Sequence, residues 1–245
     1  MISEIQAQML FPTHAVGPAG PLPAEAQNVS ISSADGDQLH GVYFPGKERG
    51  TLIIGFGGNA WNGSDVAAYL HELYPDDSVI AFHYRGYRPS EGRPSADALI
   101  ADAPLIFDFA ADRVKPARIV AAGFSIGSGV AASLAVKRKL DGVILVTPFD
   151  SLKAAASDLY PWLPVGPFFE HEIAAADLLA ENDVPVAIIA GGRDTLIRPA
   201  RTDGLRRRVG NLVFDRTIAG AGHNDIYQRA DFRNAMHEAS EAITA

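Results

Sequence analysis

Short apolar runs alternate with longer stretches of helical periodicity along most of this chain. The runs are Thr51–Gly55, Ser78–His83, Ala117–Ala122, Gly142–Thr147, Val184–Ala190 and Asn211–Ile218. Their apolar residues are nearly consecutive, which is the pattern of parallel strands buried on both faces. Helical patterns lie near residues 64–74, 95–112, 126–139, 198–208 and 226–243. Two further strand patterns, Val29–Ser33 and Gln38–Phe44, come first and are joined by a turn, Ala34-Asp-Gly-Asp37, whose residue types suit a chain reversal. The expected architecture is α/β: a mostly parallel central sheet of about eight strands wrapped by helices.

Residues 1–27 are expected to form an N-terminal strap, extended over 11–27 where Pro12, Pro18, Pro21 and Pro23 fall. Residues 28–245 are expected to form a single domain. Its alternation breaks at about 150–183, between the sixth and seventh strands, and that interval is long for a connection inside a domain. It holds Leu159-Tyr-Pro-Trp-Leu-Pro-Val-Gly-Pro-Phe-Phe169, aromatic and proline-rich, and is read as a small cap over the strand ends.

The chain has 245 residues, 47% of them apolar, enough for one such domain with a full core. Its net charge of −8 argues against a nucleic-acid partner. The one basic run, Arg206-Arg207-Arg208, sits in a helical pattern and reads as a solvated face. The chain contains no Cys, which excludes disulfides, a thiol nucleophile and thiolate metal sites and fits a cytoplasmic protein. No apolar run approaches the roughly 20 residues of a membrane span, and the first ten residues lack the basic and apolar regions of a signal peptide.

The segment richest in chemistry is Gly123-Phe-Ser-Ile-Gly127. It lies between a strand pattern and a helix pattern, so Ser125 stands at the apex of a sharp turn that exposes its hydroxyl. A serine nucleophile needs a base and an acid to orient that base. Asp194 follows the Val184–Ala190 strand in Ala190-Gly-Gly-Arg-Asp194, and His223 follows the last strand in Ala219-Gly-Ala-Gly-His223. All three leave carboxyl ends of strands, the edge where open α/β sheets collect their functional groups. His223 is read as general base and acid and Asp194 as its orienting partner, with Asp150 the rival acid. Two backbone N–H donors should face the developing oxyanion: that of Ile126, and that of Asn59 in the glycine loop Gly55-Phe-Gly-Gly-Asn-Ala60, with Ala60 its neighbour in contention.

The glycine loop also matches a dinucleotide fingerprint, Gly55-x-Gly57-x-x-Ala60, but the next strand ends in Ala81-Phe-His-Tyr-Arg85 without the acid that would bind a ribose. His171-Glu172 begins like a zinc-protease helix, yet position 175 is Ala. No metal or cofactor is therefore expected. The reading is hydrolysis of a small-molecule ester. A peptidase or carbon–carbon hydrolase on the same triad, and a binding module that does not catalyse, are the alternatives.

Taken together, the motifs resemble the α/β-hydrolase superfamily, close to its Bem46-like and ABHD13- and ABHD17-like serine hydrolases. The resemblance runs from about residue 25 to the end. It rests on Leu39-His-Gly, Phe56-Gly-Gly-Asn-Ala60, Tyr84-Arg-Gly-Tyr87 with Ser90-x-Gly92, the Ser125 pentapeptide, Tyr160-Pro-Trp-Leu-Pro164, Gly192-Arg-Asp194 and Gly222-His223. It implies ester or thioester hydrolysis through an acyl-enzyme, with no metal or cofactor. Such relatives usually carry His-Gly-Asn-Ala in the loop; here Gly57 stands in place of that His, so the loop has no polar side chain of its own beneath it. A substrate pocket for an apolar group is expected from Phe56, Ala60, Trp61, Tyr160, Trp162 and Phe168.

Overall fold

The apolar runs form one eight-stranded sheet in the order β1-β2-β4-β3-β5-β6-β7-β8. The strands are β1 (Gln27–Ser32), β2 (Gln38–Phe44), β3 (Thr51–Phe56), β4 (Ser78–Phe82), β5 (Arg118–Phe124), β6 (Gly142–Val146), β7 (Val186–Gly191) and β8 (Leu212–Ile218). β2 runs antiparallel to β1 and β4, and every pairing from β4 through β8 is parallel. This computed structural model describes residues 2–162 and 169–245.

Alternation along the central strands divides the core into two layers, because successive side chains leave opposite faces of a sheet. Leu52 and Ile54 face a layer shared with α3 (Ala96–Val114) and α4 (Ile126–Lys137), while Ile53 faces one shared with α2 (Gly63–Leu73) and α8 (Ala230–Thr244). Both faces of β3, β4 and β6 are thus buried, which is why their sequences read as continuous apolar runs. Helix α7 (Pro199–Arg206) lies with the first layer through Leu205.

The strap departs from its expected form at its start. Ile2–Leu10 is a helix, α1, and Thr13–Ala15 a single 3-10 turn; the chain is extended only beyond them. α1 ends on the buried pair Leu10 and Phe11, which join the first core layer. Among the described residues of 150–183 lie two helices, α5 (Leu152–Leu159) and α6 (Ala175–Ala180), of which α6 packs on α4.

Two local features position the functional edge. A Cβ at Gly127 would lie 2.1 Å from the carbonyl oxygen of Phe56, and one at Gly123 would lie 2.3 Å from that of Gly127. The first turn of α4 therefore seats on the end of β3 with no room for side chains. The other feature is His83, buried just after β4. Its Nδ1 receives the Gly63 N–H at 3.3 Å, and its Nε2 lies 3.0 Å from Ser64 Oγ.

Two outcomes are expected. Gly127→Ala should cost about 3 kcal/mol of stability, since backbone cannot move aside as a side chain can; urea unfolding measures it, and a variant as stable as the parent would refute the close packing. Burial lowers the His83 pKa from 6.5 to about 4, so the fold favours the neutral ring. That contribution is complete above pH 6.5 and is lost as pH falls toward 4. Across this window wild type should lose about 3 kcal/mol more than His83→Gln, read as denaturant midpoints at each pH.

Candidate active site

Ser125 joins β5 to α4 with φ +52° and ψ −117°, a region that residues bearing a side chain rarely occupy and that concentrates at functional sites. Its conformation is held on both sides: Ser125 N–H donates to the Val146 carbonyl at 2.9 Å, and its own carbonyl accepts from Ser128 N–H at 2.9 Å and Ser128 Oγ at 2.6 Å.

His223 reaches this hydroxyl from the loop after β8. Its Nε2 lies 2.9 Å from Ser125 Oγ and its Nδ1 2.7 Å from Asp194 Oδ2. The second carboxylate oxygen of Asp194 accepts the N–H groups of Leu196 at 2.9 Å and Ile197 at 2.8 Å. Asp194 is nearly inaccessible, with 4% of its side chain exposed, and His223 retains 10%. A carboxylate held this way fixes the imidazole tautomer, leaving Nε2 as acceptor for the serine proton. Asp150, the rival acid, instead accepts from Ser151 N–H and pairs with Arg201 at 3.5 Å.

The glycine loop faces the same serine. A Cβ at Gly58 would stand 3.8 Å from Ser125 Cβ. The loop is gripped from beneath by two buried tyrosines: Tyr84 Oη donates to the Gly57 carbonyl at 2.9 Å, and Tyr87 Oη donates to the Asn59 carbonyl. Between them Arg85 forms a bidentate pair with buried Asp102, at 2.8 and 2.7 Å, and also pairs with Asp35. Tyr84 therefore anchors the loop from below at Gly57. Val66 fills the remaining room, since a Cβ at Gly57 would lie 2.8 Å from its Cγ2.

A cleft of about 420 Å³ opens over Ser125 and His223. Ala60 and Trp61 line it, as do Asn59 and Ile126. Four expected pocket residues fall elsewhere or outside view. Phe56 is a strand residue, 2% exposed and packed in the core rather than on the cleft. Tyr160 and Trp162 contact each other edge to face away from the cleft, with Trp162 71% exposed; the helix α5 before them takes the inward position. Phe168 lies outside the described residues.

In place of Tyr160 and Trp162, mostly aliphatic residues complete the cleft wall beside Trp61. They are Leu152, Ala155, Ala156 and Leu159 of α5, Phe149, Leu196 and Ile197, and Leu10 of α1. The i, i+3, i+4, i+7 spacing of the α5 residues is a helical stripe that marks an apolar face without saying what it covers. Tyr227, four residues beyond His223, closes the cleft; burial pushes its hydroxyl up to about 12. It belongs to an aromatic cluster with Trp61, Tyr69 and Phe124.

Sheet order, strained serine and hydrogen-bonded Ser–His–Asp row define an α/β-hydrolase. The chain belongs to that superfamily. No protein-family model matches it. It is 34% identical over 220 residues to the uncharacterized protein MT2364 of Mycobacterium tuberculosis, covering 84% of this chain and 78% of that one. It is 32% identical over 168 residues to the lysophosphatidylserine lipase ABHD12 of Danio rerio, covering 60% of this chain and 44% of that one. Among solved structures, the Pyrococcus furiosus esterase Pf2001 superposes with a TM-score of 0.75 at 21% identity, covering 93% of this chain and 96% of that one. An alpha-beta serine hydrolase homologue from Coxiella burnetii superposes with a TM-score of 0.64 at 18% identity, over 92% and 99% of the two chains. Among the described residues no helix is long and apolar enough to cross a membrane.

Proposed function

We propose that the protein is a serine hydrolase that cleaves a carboxylic ester or thioester through an acyl-enzyme on Ser125. The observation that carries this reading is the placement of His223 between Ser125 Oγ and Asp194 Oδ2, at 2.9 and 2.7 Å. Ser125 Oγ bonds to the substrate carbonyl carbon as its proton passes to His223 Nε2. The tetrahedral oxyanion collapses, the bond to the leaving oxygen or sulfur breaks, and His223 returns the proton to that group. Water then attacks the acyl-enzyme by the same route, His223 taking its proton and handing it back to Ser125. Asp194 stabilises the imidazolium formed in each half-reaction.

The oxyanion is assigned to the backbone N–H groups of Ile126 and Asn59. Donors of this kind act by being fixed before charge develops; Trp61 N–H, donating to the Gly58 carbonyl at 3.2 Å, holds the peptide that carries Asn59 N–H, and Tyr84 and Tyr87 hold the peptides on either side of it. The wall of the cleft is largely apolar, which suits a neutral acyl or alkyl group. Among its relatives are one named as a lipase and, in fold, one named as an esterase, which supports the same bond type. The motifs favour placement with the Bem46-like, ABHD13- and ABHD17-like hydrolases. The cysteine-free composition favours the cytoplasm.

Hydrolysis of p-nitrophenyl esters from acetate to palmitate tests the reading. Wild type should turn over, with a chain-length optimum set by the cleft, and Ser125→Ala should lose a factor of about 10⁴ or more. A fluorophosphonate probe should label wild type and not the variant; a labelled Ser125→Ala would refute the assignment. Tyr87→Phe should lower kcat about ten- to hundredfold with little change in KM, whereas a rise in KM alone would show that the tyrosine serves substrate binding.

A further inference from the structure

We propose that a second cavity, separate from the cleft at Ser125, binds a small organic anion. Its volume is about 760 Å³, larger than the cleft, and the two share no lining residue. Its walls come from strap residues 13–19, from β1 and β2, from the start of α2 and from the turn after β4.

The charge of its wall runs against that of the chain. The protein carries 29 acidic residues and 21 Lys and Arg, yet no Asp or Glu lines this cavity, while the guanidinium of Arg88 does; His14, His40 and His83 add polar ring nitrogens, with His83 held neutral. Arg88 is exposed and makes no ion pair or hydrogen bond among the described residues. The nearby carboxylate, Asp65 of α2, is occupied: one oxygen accepts Gly20 N–H at 2.9 Å and the other the Asn62 amide at 2.6 Å. An anion entering here meets a guanidinium that has no ion-pair partner among the described residues.

The buried end offers a donor as well. Gly63 N–H donates to His83 Nδ1, so that nitrogen is the acceptor and the ring proton sits on Nε2, facing Ser64 Oγ. Ser64 thus receives a hydrogen bond from the ring, and its own proton has no acceptor among the described residues. Ser64 is 7% exposed and lines the cavity. The same tautomer prevents His83 from acting as a base, so the pair is a recognition element and not a second nucleophile. Among the described residues no group of three or more His, Asp or Glu side chains is arranged to hold a metal ion. Val16, Val29 and Pro89 supply apolar wall for the organic part of a ligand larger than a bare oxyanion.

Calorimetric titration of the full chain with inorganic phosphate, glycerol 3-phosphate and acetate tests this, each against chloride at matched ionic strength. Saturable binding is expected, tightest for glycerol 3-phosphate. Arg88→Gln should weaken it about tenfold or more, the loss of one charge-assisted contact. Ser64→Ala should weaken it further, and Ser125→Ala should leave it unchanged, whether or not Ser125 is a nucleophile. Thermal unfolding confirms that each variant is folded. The proposal fails if no anion binds above the chloride control, or if Arg88→Gln and Ser64→Ala bind like wild type. It also fails if Ser125→Ala abolishes binding, which would put the anion in the cleft, or if only phosphatidic acid vesicles bind.

Discussion

The arrangement at Ser125 depends on one steric contact, backbone against backbone, between the first turn of α4 and the end of β3. The Phe56 carbonyl oxygen occupies a position 2.1 Å from where a Cβ of residue 127 would be. Glycine at 127 lets α4 start flush with the sheet, and glycine at 123 lets the strand turn into it. The residue between them is forced to φ +52° and projects its side chain off the sheet edge. Because β3 leads directly into the Gly57–Ala60 loop, the same contact that raises Ser125 brings that loop beside it.

Such a loop would be mobile if its glycines had only each other. Two phenol hydroxyls and a guanidinium remove that freedom. Taking Arg85 and Asp102 out of water is costly, and only bidentate geometry with further hydrogen bonds offsets it; here both conditions hold. The buried pair adds little net stability by that reasoning, but it ties the Tyr84–Tyr87 turn to α3, and the turn in turn ties the loop. Rigidity of the Gly57–Ala60 loop therefore originates in a charge pair that contacts neither the serine nor the cleft.

The sheet and the Ser125–His223–Asp194 row were legible in the sequence for the same reason. Buried parallel strands must be apolar on both faces, so Thr51–Phe56 or Gly142–Val146 cannot hide in the pattern. Ser125, Asp194 and His223 stand directly after such strands, where position in the chain nearly determines position in space. The pocket was not legible in this way. Trp162 has the size and apolarity of a wall residue, yet it is exposed, while Ala155 and Ala156, unremarkable as residue types, line the cleft. Phe56 is a strand residue whose period-2 phase turns it into the core. Helix α1 is hidden because a single short amphipathic stretch ahead of a proline-rich strap has no periodic neighbour to confirm it.

The division between a legible sheet edge and illegible walls follows how the molecule is assembled. Hydrogen-bonding groups are carried by loops a few residues from β3, β5, β7 and β8, so they inherit the precision of the sheet. The cleft wall is carried by parts remote in sequence: Leu10 at the end of α1, the α5 stripe, and Ile197. α1 also touches the 150–183 insertion, where Glu170 N–H donates to the Gln6 side chain at 3.3 Å. A change in α1 or in the 150–183 insertion reshapes the wall without disturbing the Ser125–His223–Asp194 row. On the proposed serine-hydrolase reading, relatives that align with the sheet but differ in those two segments would keep the hydrogen-bonded row and accept different acyl groups, which would make α1 and α5, rather than the row, the place where substrate choice is set.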